Sequence, residues 1–579
     1  MECPEPFDVE NSTPETATVI SARPHRINLE IWVCATAVAA VMILIVLPLA
    51  FLLWGSVASA SGLTIGFFTR VLYTRIYFQA LANSLVLGAW VGLFSILIGL
   101  PLAWAVTRTD LPARGFVKLT ATLAYLSPPF LLAIAYVNLL SPRAGVINTL
   151  LRQAFPSHDL TFNIFSMAGL VLVTVSHTFP FVYLLAASAL ASVDSSYEDS
   201  AQILGAGKVR TTFAVTLPLV APAILSGALI GFVEAIALFG SQAIVGLPAR
   251  IFTLPTRIYA LFDYPPQYGL ASALSLVFVA LTVAALYLQR AFLGRRSFAT
   301  LGGKGGQSRR LALGRWRWPL FGFCLIVFII TIALPYGSLL AVSFSKSWGL
   351  AFWQNLTFAN YHFVLFEYAV TQRAILNSLM LATAAATFCI FLGSVIGWID
   401  VRTNLPLRRI LDSAVLIPLG LPGIVIAVAL VQFWLKTPLP LYGSLAILFL
   451  AYSARYLPLG ARVANAGLQQ IDASLEQSAR ILGASWAETM RHITLPMIRS
   501  TLFAGWILIF VPAIQELSAS ILLFSGKSIT IAVAVYNLYE NGSIEAVAAL
   551  ALINIVIIAV AIGIANRIGG VSARPEALG

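Results

Sequence analysis

EDSAQILGAGKVRTTFAVTLP, residues Glu198 to Pro218, returns as EQSARILGASWAETMRHITLP, residues Glu476 to Pro496, with 11 of 21 positions identical. Each copy mixes polar and apolar residues and is pinned between long apolar runs. Self-similarity of this kind sets the architecture before any single residue is interpreted. The repeat extends outward. Asn83-Ser84-Leu85 matches Asn377-Ser378-Leu379, Arg108-Thr109 matches Arg402-Thr403, Leu111-Pro112 matches Leu405-Pro406, and Pro128 matches Pro422, all displaced by 294 residues. From Glu198 and Glu476 onward the displacement is 278. The shortening falls in one connection, LSPRAGVINTLLRQAFPSHDLTF in the first copy and LKTPLP in the second. An external loop is where such a length difference is best tolerated.

The surrounding chain is a membrane sequence. Its 579 residues are 59% hydrophobic and 10% charged, against about 45–50% and about 25% in soluble domains. A helix of about 20 apolar residues spans the hydrocarbon core. Twelve runs qualify, near 31–54, 81–106, 117–140, 164–190, 219–246, 268–290, 319–343, 375–399, 410–435, 441–463, 500–524 and 544–565. The expected fold is an all-α polytopic membrane protein of about twelve transmembrane helices in two homologous six-helix halves. With an even number of spans per half, both halves enter the bilayer in the same sense, as parallel repeats about an axis along the membrane normal.

A net charge of +12 points to cytoplasmic loops rich in Lys and Arg, and no nucleic-acid partner is expected. Arg290 to Trp318 holds eight basic residues and no acidic one, which places it in the cytoplasm. Two runs separate the first repeated loop from this segment and four separate it from the second, so both loops are expected on the cytoplasmic side. The expected organisation is a cytoplasmic tail 1–30, a first half 31–293 with its loop at 194–218, a basic linker 294–317, a second half 318–566 with its loop at 472–496, and a tail 567–579. Both termini are then cytoplasmic. LIVLPLAFLLWGSV around Pro48 is echoed by TIALPYGSLLAVSF around Pro335, so the first run reads as a retained span rather than a signal peptide. Cys3, Cys34, Cys324 and Cys389 have no CxxC spacing, and no metal or redox site is expected from them.

Each repeated loop reads as a short helix. Asp194 or Ser195 caps the first and Asp472 the second, with Glu198 and Glu476 in the opening turns. Gly205 and Gly483 stop these helices. A second short segment then closes with Thr-Leu-Pro, where Pro218 and Pro496 are expected to break one helix and start the next. Ala201, Ile203 and Leu204, like Ala479, Ile481 and Leu482, offer a small apolar face suited to a partner's groove; the alternative is an amphipathic helix lying on the lipid surface.

E-x-x-A-x-x-x-G followed by L-P, present as Glu198, Ala201, Gly205, Leu217, Pro218 and again as Glu476, Ala479, Gly483, Leu495, Pro496, resembles the EAA loop of the permease subunits of ABC importers. The copies depart from the motif's name in reading E-D-S-A and E-Q-S-A. The resemblance implies a type I ABC importer permease fold in a bacterial cytoplasmic (inner) membrane. It also implies coupling helices that dock on two cytoplasmic ATPase subunits, and an external or periplasmic substrate-binding protein. No G-x-x-x-x-G-K-[ST] occurs, and GGKGGQS around Lys304 lacks that spacing. The chain is thus expected to bind no cofactor itself, with ATP and Mg held by the partner subunits, and to be no enzyme. A secondary transporter with parallel repeats is the competing reading, but it leaves the repeated loops unexplained.

Charges within spans are functional candidates because burying them is costly. Glu234 lies in the fifth run and Glu516 in the eleventh. The displacement of 278 aligns Glu234 with Pro512, which sets Glu516 one turn further along the same helical face. His177 reads as either an interhelical packing residue or a pathway residue. The fused six-plus-six layout, with Thr300 to Gly305 and Leu313 to Trp316 after the first half, resembles the iron(III) importer branch. Thiamine, 2-aminoethylphosphonate and polyamine importers share that branch.

Overall fold

The computed structural model describes residues 26–59, 62–157, 161–294, 311–349, 352–403, 405 and 408–569. The first tail up to residue 25, the linker over 295–310 with Thr300 to Gly305, Cys3, Pro406 and the tail 570–579 lie outside the described residues. Among the described residues the fold is helical apart from a two-residue strand pair, Ala58–Ser59 against Gly62–Leu63.

Among the described residues nine helices are long and apolar enough to cross a membrane, and two bent pairs bring the number to eleven rather than twelve. The bent pairs are Arg114–Leu126 with Pro129–Leu140, turning by 101°, and Arg408–Gly420 with Gly423–Trp434, turning by 115°. Pro128 and Pro422 explain both bends, because each proline restricts the residue before it and lacks a donor for the helical ladder. The tenth expected run, 441–463, is the one outside that number and folds as Leu445–Gln469. Arg455 and Arg462 interrupt its apolar sequence, so it is a full-length helix without the apolarity of a lipid-facing span.

In each half a 34-residue helix forms the spine: Arg75–Arg108 in the first, Ala369–Arg402 in the second. Met167–Ser192 and Leu217–Ala237 pack on the first spine, and Leu445–Gln469 and Leu495–Ile514 on the second. Small residues allow the close approach, as they do wherever membrane helices associate by packing alone. A Cβ on Gly393 would lie 2.4 Å from Gly460 C, and one on Gly460 would lie 2.2 Å from Cys389 O.

The first span of each half packs against the bent pair of the other half. Trp32–Val57 contains a helix, Leu47–Val57, that lies on Gly423–Trp434, while Leu334–Ser343 lies on Pro129–Leu140. Tyr336 donates to Ser127 Oγ at 2.6 Å, and Tyr136 donates to Ile330 O at 2.7 Å. Gln432 Nε2 donates to Ser272 Oγ at 2.7 Å, and Thr282 Oγ1 to Gly420 O at 2.6 Å. The halves are therefore interlocked rather than abutted.

Four Leu-Pro pairs share one device. Before Pro48, Pro218, Pro335 and Pro496 the helix widens for one turn, so that the preceding leucine N–H bonds the carbonyl five residues back. Pro218 and Pro496 thus sit inside continuous helices, Thr212–Ala237 and Trp486–Ile514, and do not start new ones. The wide turn absorbs the missing N–H and the ring that would otherwise break the ladder. After Leu140 the chain is pinned by buried Asn148, whose Nδ2 donates to the carbonyls of Leu140, Ser141 and Phe162 and whose Oδ1 accepts from Phe162 N. Cys34, Cys324 and Cys389 are buried free thiols.

Candidate functional site

The two repeated loops fold alike. Ser195–Ile203 and Ala473–Ile481 are nine-residue helices, and Asp194 and Asp472 cap them by accepting from Ser196 N and Ser474 N, each at 2.9 Å. Gly205 and Gly483 end them with φ of +85° and +92°, a left-handed backbone that glycine adopts without a steric penalty. The Asp472 carboxyl is held below the ordinary carboxylate range, chiefly by its bond from Ser474 N. Ser485 and Glu488 form a capping box at the following turn.

The glutamates face inward. Thr216 donates to Glu198 Oε1 at 2.7 Å and Thr494 to Glu476 Oε1 at 3.0 Å. The other carboxylate oxygens meet arginines at the ends of the spine helices: Arg108 Nη1 to Glu198 Oε2 is 3.6 Å, and Arg402 Nε to Glu476 Oε2 is 3.2 Å. Arg108 also donates to Val193 O at 3.0 Å, and Arg402 to Leu468 O and Ile471 O at 3.1 and 2.8 Å. Each loop is thereby tied to its bundle through a buried charge. The apolar tips point away: Ile203 and Leu204 are 85% and 87% exposed, and Ile481 and Leu482 are 85% and 88% exposed. The linker's described end joins the first loop's base, since Leu311 N donates to Arg108 O at 2.8 Å and Asp110 N to Leu311 O at 3.2 Å.

A second polar cluster lies where the halves meet. The eleventh expected run breaks after Ile514 and resumes at Ser520, so Glu516 lies in the break and not on the helical face shared with Glu234. Its Oε1 accepts from Ala519 N at 3.0 Å; its Oε2 accepts from Tyr456 Oη at 2.7 Å and meets Arg455 Nε at 3.0 Å. The carboxylate thereby satisfies a backbone N–H that the break leaves without a helical partner. Glu234 is half-buried near the end of Leu217–Ala237. Gln515 Nε2 to Leu126 O, 3.4 Å, is a further contact between halves at this level. His177 is buried, and its Nδ1 has no hydrogen-bond partner among the described residues.

A family model for the binding-protein-dependent transport system inner membrane component matches residues 95–297 and again residues 389–569, together well over half of the chain. The chain belongs to this family. It is a permease subunit of an ABC importer, built from two copies of the family's unit. Among its relatives, two from Haemophilus influenzae are named as ferric and Fe(3+) transport system permease proteins, FbpB 1 and FbpB 2. The first is 28% identical over 79% of this chain and 72% of its own, and the second 24% identical over 79% and 83%. The ferric transport system permease protein FbpB of Actinobacillus pleuropneumoniae is 26% identical over 82% of this chain and 68% of its own.

The permease is a transport subunit and no enzyme; ATP and Mg belong to the importer's ATPase. Among the described residues no group of three or more His, Cys, Asp or Glu is arranged to hold a metal. Of the residues singled out in the sequence, Glu198 and Glu476 each meet an arginine and a threonine that were not. The signal was present: Arg108 with Arg402 and Thr216 with Thr494 are identical pairs within the repeat. Arg455 carried no such signal, because the repeat replaces it with His177.

Proposed function

We propose that this permease imports iron(III) delivered by an external binding protein, driven by two ATPase subunits that dock on its two loops. The cargo rests on one observation: the chain aligns over about four fifths of its length with relatives named for ferric transport. In this reading Leu204 and Leu482, with Ile203 and Ile481, enter clefts on the ATPases. Ala201 and Ala479 keep the docking faces small, and Glu198 and Glu476 transmit force to the spine helices through Arg108 and Arg402. Gly205 and Gly483 fix the angle between the two loop segments, and Leu217-Pro218 and Leu495-Pro496 join each loop to its membrane helix through a wide turn. Both loops and both termini face the cytoplasm. Glu234, His177 and Glu516 stand along the translocation pathway between the halves.

The test is uptake of radioiron(III) by liposomes holding the permease, its ATPase and its loaded binding protein. ATP-dependent accumulation is the expected result. Replacing Leu204 and Leu482 together by Asp should abolish co-purification of the ATPase, because each places a charge where an apolar side chain would be desolvated. ATPase retention by that double variant refutes the docking assignment, and accumulation without the ATPase refutes the importer mechanism.

A further inference from the structure

The second half carries an open groove of about 620 Å³ on its outer surface, between the spine Ala369–Arg402, Leu495–Ile514 and the last helix, Ile544–Gly569. Its lining is apolar apart from Thr383 on the spine and Arg499 near the start of Leu495–Ile514. Phe503, Trp506 and Phe510 form a ladder along one wall, with successive ring centroids 6.3 and 4.9 Å apart and planes inclined by 7° and 14°. Trp506 Nε1 donates to Thr387 Oγ1 at 3.1 Å, which fixes the indole against the spine.

The repeat shows that this wall belongs to one half. Displacement by 278 sets Arg499, Phe503 and Trp506 against Ala221, Leu225 and Ala228, and displacement by 294 sets Thr383 and Thr387 against Ala89 and Leu93. Phe510 and Phe232 are equivalent but packed differently. The Phe232 ring lies on the first spine at Gly88, where an added Cβ would come within 2.6 Å of it. The equivalent spine residue in the second half is Ala382, and Phe510 stacks on Trp506.

Length and charge say what the groove fits. From Arg499 to Phe510 the helix rises by about 16 Å, close to half of the ~30 Å hydrocarbon core, so the groove covers one leaflet. Arg499 is exposed and makes no ion pair among the described residues, and no acidic side chain among them lines the groove. Arg567 follows three residues after the lining residue Ile564, on the same helical face. Thr494, which bonds the loop glutamate Glu476, precedes Arg499 by about 7.5 Å of helix. Arg499 therefore stands at the end of its span nearest the loop, where a long cationic side chain reaches the interface and lipid phosphate is the anion at hand.

We propose that this groove binds one anionic phospholipid of the leaflet on the loop side. Arg499, with Arg567, holds the phosphate, and an acyl chain lies along Phe503, Trp506 and Phe510. Basic residues between membrane helices recognise anionic headgroups, and the fixed aromatic wall offers the chain a surface that is already ordered. The site depends neither on the cargo nor on which side of the membrane the loops face.

The experiment uses the full-length permease in phosphatidylcholine vesicles, into which phosphatidylglycerol or phosphatidylcholine brominated on its acyl chains is titrated; bromine quenches tryptophan on contact. The Trp506 signal is the difference between each protein and its own Trp506→Phe version. Half-quenching should come at about a five-fold lower mole fraction of the brominated phosphatidylglycerol, the worth of one arginine toward an anionic lipid. Arg499→Gln should bring the two lipids within about two-fold, Arg499→Lys should keep the preference, and Arg315→Gln, an exposed arginine outside the groove, should leave it unchanged. Equal quenching of the wild-type protein by the two lipids overturns the site, as does a preference that survives Arg499→Gln or falls equally in Arg315→Gln. Trp506 quenched by neither lipid means that protein covers the groove, which overturns it as well. Added inorganic phosphate should not relieve the quenching; relief would mean that a free anion, and not a lipid, is what Arg499 holds.

Discussion

Changing Glu476 to Gln tests whether the second loop is held by charge. The carboxylate meets Arg402 at 3.2 Å and accepts from Thr494 at 3.0 Å, and both ionic partners are largely buried. Gln keeps the volume and an acceptor for Thr494 but leaves the guanidinium facing only the carbonyls of Leu468 and Ile471. Breaking a buried pair by removing one partner costs about 3–5 kcal/mol, and the conservative geometry argues for the lower end, about 3 kcal/mol. At about 1.4 kcal/mol per decade, the loop's open population should rise roughly a hundred-fold. Hydrogen exchange of the amides in Ala473–Ile481 reads this directly, with the middle of Ala369–Arg402 as the internal standard. The double variant Arg402→Met with Glu476→Gln should lose less than the two single losses added together, because it leaves no unpaired charge. Glu198→Gln should cost less, since Arg108 stands 3.6 Å from its partner. Exchange changed by less than about two-fold, or strictly additive losses, would refute the idea that the ion contact anchors the loop.

Gly205→Val with Gly483→Val should uncouple uptake from ATP hydrolysis. A Cβ at either position meets nothing within 4 Å, so the penalty is one of backbone, about 1–2 kcal/mol per site for a left-handed residue; Asn at both positions should retain transport, and equal behaviour of Val and Asn would contradict this. The second loop should also respond to acid. Asp472 has a folded pKa depressed by a backbone N–H bond, so its stabilisation is complete above the ordinary carboxylate range and is lost as the pH falls through the folded value. Exchange protection of Ala473–Ile481 should fall only on that acid side, and Asp472→Asn should remove that part of the fall.

The loops were legible because they carry residue types with local rules: an Asp cap, a Glu in the first turn, a Gly stop. These rules act over a few residues, so the sequence reading of caps and stops matches the structure. The reading of Pro218 and Pro496 as helix starts did not, because propensity alone does not register a wide turn that accommodates proline within a continuous helix. Glu516 was misplaced for a related reason. Its run is mostly apolar with Gln515 and Glu516 set inside it, and the partners that hold the break, Arg455 and Tyr456 with Ala519 N, come together only in the fold. Leu445–Gln469 itself was read as a span like the others, although its two arginines serve contacts that lie far away in sequence.

Composition and the repeat by themselves determined that this is a helical membrane protein of two like halves with paired polar loops, because hydrophobic length and self-similarity need no knowledge of neighbours. Tertiary structure alone decided that each half's first span crosses to the other half's bent pair, and that Glu198 and Glu476 turn inward to arginines. It also decided that the centre is unequal, with His177 and Glu234 in the first half and the Arg455–Glu516 ion pair in the second. Which buried charge finds a partner depends on the three-dimensional meeting of distant helices, and in a low-dielectric interior that meeting sets what each charge is free to do.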